Sequence, residues 1–214
     1  MTAPRLLVLG GTVFLGRHVV DAALAGGCEV TVLNRGQHQV CFARPVEQLP
    51  GDRNSDLSAL QGRHFDAVID CSGYTPAQLQ RTVEALGDRV GHYVFVSTIS
   101  VYAGFPPGHV YDETAPVMQA ADGYGGGKAR AEEFIQAALP GRVSVLRPGL
   151  IVGPHDPTGR FTYWPLRMAR GGTVLAPGRP DRPVQCIDAR DLAAWCVQLA
   201  LLRKAGVFHG VGPS

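Results

Sequence analysis

Short, continuous apolar runs recur along this chain at Leu6 to Leu9, Glu29 to Leu33, Ala67 to Ile69, Tyr93 to Val96 and Val143 to Leu146. A strand with one face in water alternates apolar and polar residues, whereas a continuous run implies a strand covered on both faces, as in a parallel sheet. The intervening stretches have helical periodicity. Leu15, Val19, Val20, Ala23 and Leu24 form one apolar stripe that stops at Gly26-Gly27. Pro76 suits the first position of a second helix, whose Leu79, Val83 and Leu86 share a face, and Ala129 to Leu139 reads as a third, ended by Pro140-Gly141. Strand and helix alternate, so the expected fold is α/β: a doubly wound parallel sheet with right-handed crossovers. Phe105 to Pro116 and Pro154 to Arg160 read as long loops, and there is no internal repeat.

Composition narrows the class. The 214 residues carry a formal charge of +2, and 18% are charged, below the roughly 25% usual for soluble domains. A nucleic-acid clamp would be more basic. No apolar run approaches the roughly 18 residues of a membrane span, so no membrane partner is expected and a cytoplasmic location is the expectation. The five cysteines, Cys28, Cys41, Cys71, Cys186 and Cys196, are odd in number and lack C-x-x-C spacing; they read as small buried hydrophobes in a reducing compartment. The seven histidines show no metal-ligand spacing.

The first strand runs into Gly10-Gly11-Thr12-Val13-Phe14-Leu15-Gly16. Such a strand-to-helix turn can cradle a pyrophosphate on backbone amides at a helix N-terminus, so Gly10, Thr12, Val13, Phe14, Leu15 and Gly16 are cofactor-binding candidates. Val13 replaces the middle glycine of the usual G-x-x-G-x-x-G. At the end of the second strand, where an acid would accept the ribose hydroxyls of NAD, the chain has Asn34-Arg35. An uncharged Asn34 removes repulsion toward a 2′-phosphate and Arg35 can pair with it, which favours NADP over NAD. Asp52 and Arg53 follow a third candidate strand, where an adenine edge could be read; a plain turn is the alternative for Asp52.

Thr98 follows the Tyr93 to Val96 strand, at the carboxyl edge where open α/β sheets bind ligands. Tyr124 and Lys128, four apart at the start of a helix, lie on one face. The ammonium is expected to hold the phenol oxygen as phenolate and lower its pKa toward neutrality, giving a general acid/base.

Together these motifs resemble the extended short-chain dehydrogenase/reductase superfamily, in its NAD-dependent epimerase/dehydratase branch. The opening Gly10 to His18 resembles the G-G-T-x-F-L-G-R-H form of reductase-like and chloroplast stem-loop-binding relatives. Similarity extends to Asp66 to Tyr74, Arg147 to Pro154 and Pro183 to Ala193, in family order over nearly the whole chain. The resemblance implies a Rossmann-type NAD(P)-binding domain over 1–214, with 154–183 contributing to a small substrate lobe. It assigns Tyr124 as acid/base, Lys128 as ribose anchor and pKa modulator, and Thr98 as the hydroxyl orienting the reacting oxygen. It places Cys71, Ser72 and Gly73 in the loop beneath the cofactor and Pro148 and Gly149 near the nicotinamide. Asp188 and Asp191 fall in a structural and substrate-side motif, Asp191 being expected to cap the helix from Leu192.

The implied function is NAD(P)-dependent oxidoreduction or epimerisation of a small hydroxyl or carbonyl substrate, nucleotide sugars among the candidates. Ile99-Ser100 stands where 4,6-dehydratases have Asp-Glu, which argues against dehydration. Relatives continue past the strand resembling Gly206 to Gly212, so an incomplete substrate lobe and little turnover are expected of a chain stopping at Ser214. Tyr163 and Trp164 can line a substrate site or pack beneath the lobe. A dinucleotide-binding sensor, an RNA-binding relative and a truncated inactive homologue are the alternatives, and a homodimer is a possible assembly.

Overall fold

Leu6, Leu7 and Val8 are completely buried in succession, as a strand covered on both faces requires. The computed structural model describes residues 2–38, 40–106, 108–118, 122–181 and 184–212. Pro183, which opens one of the matching segments, and Ser214 lie outside the described residues, as do Pro107 and Arg182 of the loop segments. The strands are β1 (Arg5–Leu9), β2 (Glu29–Asn34), β3 (Glu47–Pro50), β4 (Phe65–Asp70), β5 (Val90–Val96), β6 (Val143–Pro148), β7 (Leu150–Val152), β8 (Cys186–Asp188) and β9 (Gly206–Gly210). Seven of them form one parallel sheet in the order β3-β2-β1-β4-β5-β6-β9, and β7 pairs with β8 beside it.

Helices cover both faces. Side chains alternate along β1: Leu6 and Val8 join a core with α1 (Phe14–Ala25) and α5 (Ala189–Leu202), while Leu7 and Leu9 join a second core with α2 (Pro76–Leu86) and α3 (Gly123–Ala138). The sheet is therefore doubly wound, a Rossmann-type fold. Each fully buried Val, Leu or Phe contributes about 1.5–3 kcal/mol to holding the layers together.

Local chemistry sets the helix ends. Pro76 opens α2 behind Thr75, whose side chain accepts from the Gln78 amide, and Gly87, at φ 57°, ends it. α3 starts at Gly123 rather than Ala129, because the glycines of Tyr124 to Lys128 are helical and serve close packing. Asp188, not Asp191, caps α5 by accepting from the Arg190 amide; Asp191 sits inside the first turn. A short helix, α4 (Tyr163–Ala169), has no buried residue. Of the cysteines only Cys28 and Cys196 are fully buried, and Cys41 is exposed. No helix among the described residues is long and apolar enough to cross a membrane.

One buried polar chain has a pH consequence. The Ser144 hydroxyl donates to the Lys204 carbonyl at 2.7 Å, so it must accept from His92 Nε2, also at 2.7 Å. That leaves His92 Nδ1 buried without a partner, and a proton placed there would be unsolvated. Burial, with Arg203 adding to it, lowers the His92 pKa to about 4. The unfolded chain therefore binds the extra proton first, and stability falls as pH drops from about 6.5 toward 4. Urea unfolding at pH 7 and pH 5 should show a loss of roughly 2 kcal/mol from this group, absent in His92→Gln. A variant with the wild-type slope would assign the loss elsewhere.

Candidate active site

The carboxyl ends of β1, β2, β4, β5 and β6 open into a cleft of about 1080 Å³. Along one end runs the glycine turn. Gly10 has φ 80° and sits against the loop after β4, where a Cβ would meet the Ser72 Cβ at 2.8 Å. A Cβ at Gly16 would overlap the Gly10 carbonyl, so the turn closes tightly only with glycine at both positions. Val13, standing for the middle glycine, has an ordinary extended backbone, and Phe14 takes the left-handed φ of 41°. The Val13 side chain is 39% exposed and lines the cleft with Thr12, Phe14, Leu15 and Gly16.

α2 and α5 have side-chain caps, but α1 has none. Its first turn lines the cleft end with no side-chain cap and no acidic side chain, the Gly16 amide donating to the Val13 carbonyl at 3.1 Å. This end suits an anion such as pyrophosphate.

The second wall carries Asn34, Arg35, Asp52 and Arg53. Asn34 folds back, its Oδ1 accepting from the Gly36 amide at 2.7 Å and its Nδ2 donating to Gln48, which leaves the exposed Arg35 at the rim. Asp52 Oδ1 accepts from the Asn54 amide in a turn. Arg53 departs from the expected adenine-edge role. Its guanidinium donates twice to Asp70, at 2.7 and 2.8 Å, and once to the Ser72 hydroxyl at 3.1 Å, and the residue is 9% exposed. Tyr93 Oη donates to the same carboxylate at 2.7 Å. Burial would raise the Asp70 pKa, but Arg53, Tyr93 and the Ser72 amide overcome it and hold the group below the ordinary carboxylate value.

Beyond Asp70 the chain passes under the cleft. Cys71, Ser72 and Tyr74 line it, whereas Gly73 lies behind the wall, against Leu79, Asp70 and Phe95. At the far end Thr98, Tyr124, Lys128, Pro148 and Gly149 converge. Thr98 Oγ1 accepts from the Ser100 amide at 3.1 Å, and the Thr98 side chain acts on Tyr124 by favouring its ionised form. α3 is held close by its glycines: a Cβ at Gly125 would overlap the Ser100 carbonyl, and one at Gly127 would lie 3.1 Å from the Tyr74 carbonyl.

Tyr124 and Lys128 share a helix face but not the expected contact. The Lys128 ammonium is drawn inward and donates to the Val96 carbonyl at 2.6 Å. Burial lowers its pKa to about 8, against the opposing pull of Asp70. The Tyr124 phenol is raised by burial, with Thr98 and Arg160 pulling the other way. It is protonated at neutral pH, contrary to the phenolate expected from spacing, because the ammonium lies deeper than the phenol.

A model of the NAD dependent epimerase/dehydratase family matches residues 6–207. The chain belongs to that family. It is 33% identical over 192 residues to dTDP-6-deoxy-L-talose 4-dehydrogenase (NAD(P)(+)) of Kitasatospora kifunensis, covering 73% of this chain and 57% of that one. It is 25% identical over 209 residues to the chloroplast stem-loop binding protein of 41 kDa b of Arabidopsis thaliana, covering 88% and 53%. The chain thus spans about half the length of these curated relatives. Among solved structures, dTDP-glucose 4,6-dehydratase from Bacillus anthracis in complex with NAD superposes with a TM-score of 0.80 at 16% identity, covering 99% of this chain and 76% of that one. MoeE5 in complex with UDP-glucuronic acid and NAD gives 0.77 at 23%, covering 98% and 77%. These likenesses bear on the fold.

Among the cleft residues that the sequence does not single out are Tyr74, Gln78 and Arg160. Arg160 lies in a loop without a motif. Asp70→Asn should destabilise the fold by about 3–5 kcal/mol, because it leaves the Arg53 charge buried without its partner. Combining Arg53→Met with Asp70→Leu should recover part of that loss. Denaturant midpoints measure both; a neutral single variant would mean the pair is not closed in solution.

Proposed function

We propose that the protein is an NAD(P)-dependent oxidoreductase or epimerase acting on a small hydroxyl or carbonyl substrate, with NADP(H) preferred. One observation carries this reading: a single cleft joins the uncapped N-terminus of α1 to Thr98, Tyr124 and Lys128. Family membership supports it, as do the activity of the talose dehydrogenase and the NAD bound in the two structural neighbours. A nucleotide sugar is the substrate class those names suggest.

The residues fit a dinucleotide. Gly10, Thr12, Val13, Phe14, Leu15 and Gly16 would hold its pyrophosphate, and Asn34, Arg35 and Asp52 its adenosine half, with Arg35 taking a 2′-phosphate. Ser72, Cys71, Pro148 and Gly149 would border the nicotinamide half, and Lys128 would reach the ribose. When bound, the cofactor supplies or accepts the hydride. The chain's own part is the proton. Tyr124, protonated at neutral pH, delivers it from Oη to a substrate carbonyl oxygen and takes it back in the reverse direction. Thr98 orients the phenol and the reacting oxygen. Thr98 and the Arg160 cation, which pull the phenol pKa down, stabilise the phenolate left behind. Residues 154–183 would form the substrate side, supported by Pro157, Thr158 and Arg160 at the cleft and by exposed Phe161, Tyr163 and Leu166 beside it.

Titration with NADPH and NADH tests the cofactor: tighter NADPH binding is expected, and Arg35→Ala should remove the preference at a cost of about 1.5–3 kcal/mol. Equal affinities in the wild type would end the argument from Asn34 and Arg35. Tyr124→Phe should keep dinucleotide affinity and lose about 10²–10⁴-fold in turnover, read with a panel of nucleotide sugars and simple ketones. An active Phe variant would remove Tyr124 from the chemistry and favour a binding protein.

A further inference from the structure

Tyr74 has no role in the proposed chemistry, yet it is placed as if it did. It ends the loop after β4, is half-exposed at the cleft wall, and turns its ring toward Lys128, whose Nζ lies 5.0 Å from the ring centroid. Phe95, fully buried in β5, offers a second ring to the same ammonium at 4.8 Å. The Tyr74 backbone is fixed on two sides. Its amide donates to Gln78 Oε1 at 2.8 Å, and its carbonyl lies against α3 at Gly127. Its ring centroid is 6.2 Å from that of Tyr124.

Lys128 needs such support. The residue is 2% exposed, and its ammonium donates to a neutral acceptor, the Val96 carbonyl. The groups that face it electrostatically are Asp70 and Cys71 at the end of β4, Arg53 after β3 and Glu132 on its own helix. Asp70 is closed by Arg53, and Glu132 by Arg147 at 2.7 Å, so neither carboxylate is free to pair with the ammonium. Aromatic faces are what remain close to the charge, and a desolvated cation gains most from them.

We propose that Tyr74 is a positioning residue for Lys128: its ring, with that of Phe95, holds the ammonium charged and in place at the cleft floor beside Tyr124. Its use in catalysis rests on the oxidoreductase reading; its effect on Lys128 does not.

Because the chain has two lysines and Lys204 is exposed, isotope-labelled lysine gives two side-chain signals, and Lys128 can be titrated by NMR in the ligand-free protein. Tyr74→Phe keeps the π face; Tyr74→Leu keeps bulk without it, and Tyr74→Gln serves as a second face-free variant. The Lys128 midpoint should stay at its wild-type value in Tyr74→Phe and fall by roughly half a pH unit in Tyr74→Leu and Tyr74→Gln, with Lys204 unmoved. An unchanged or raised midpoint in the face-free variants, or an equal fall in Tyr74→Phe, overturns the proposal. NADPH titration of the same samples separates the two readings. Wild-type protein that binds neither NADPH nor NADH sinks the oxidoreductase reading while the lysine titration still decides the role of Tyr74.

Discussion

The buried pair between Arg53 and Asp70 is the contact on which the cleft depends. A carboxylate with no exposure in the middle of a sheet is tolerable only if every lone pair finds a donor, and here Arg53 gives two, Tyr93 one and the Ser72 amide one. The arrangement does more than neutralise a charge. It fixes Ser72 through both its amide and its hydroxyl, and Gly10 packs directly on Ser72. The phosphate-type turn is therefore built against a loop that the ion pair holds. The same pair reaches Lys128 through space, Asp70 favouring its charge and Arg53 opposing it. Floor geometry and floor electrostatics share one origin.

Sequence periodicity was sufficient for the layers because burial on both faces leaves a continuous apolar run, and the five runs are β1, β2, β4, β5 and β6. The glycine turn was legible for a similar reason: Gly10 and Gly16 occupy positions that a Cβ would fill. What spacing could not give was depth. Tyr124 and Lys128 are four apart and do share a face, but how far a side chain reaches below the sheet edge depends on acceptors from β5, such as the Val96 carbonyl, that no local pattern announces. Arg53 was misplaced by the same blindness, since its partner lies 17 residues on, in another strand. Asp188 took the cap expected of Asp191 because β8 runs directly into α5, so the extended residue that can cap is the last one of the strand.

α3 carries Tyr124 and Lys128 and is fastened near its start and at its middle. Near its start, Gly125 and Gly127 admit the Ser100 and Tyr74 carbonyls against the helix. One turn beyond Lys128, Glu132 accepts from Arg147 of β6, whose Nη1 donates to Tyr102, and Tyr102 in turn is bonded to His209 of β9 at 2.7 Å. Such a network costs desolvation, which its many charge-assisted hydrogen bonds offset, and it joins the helix to β6 and β9. Tyr124 and Lys128 thus stand on an element tied to β6 directly and to β9 through Tyr102.

The other side of the cleft is built differently. Arg160 bonds within its own turn, to Thr158, and α4 buries none of its residues. On the function proposed above, a rigid α3 opposite a wall with few internal constraints divides the labour: residues on α3 and β5 would set what chemistry is available, while the wall from Pro157 through α4 would set what is admitted. Substitutions on that wall can change the admitted substrate without disturbing the ion pair, the glycine turn or the helix. The reverse does not hold, because each of those parts is packed against another. Specificity in such a chain is therefore expected to vary on the side that the core does not hold.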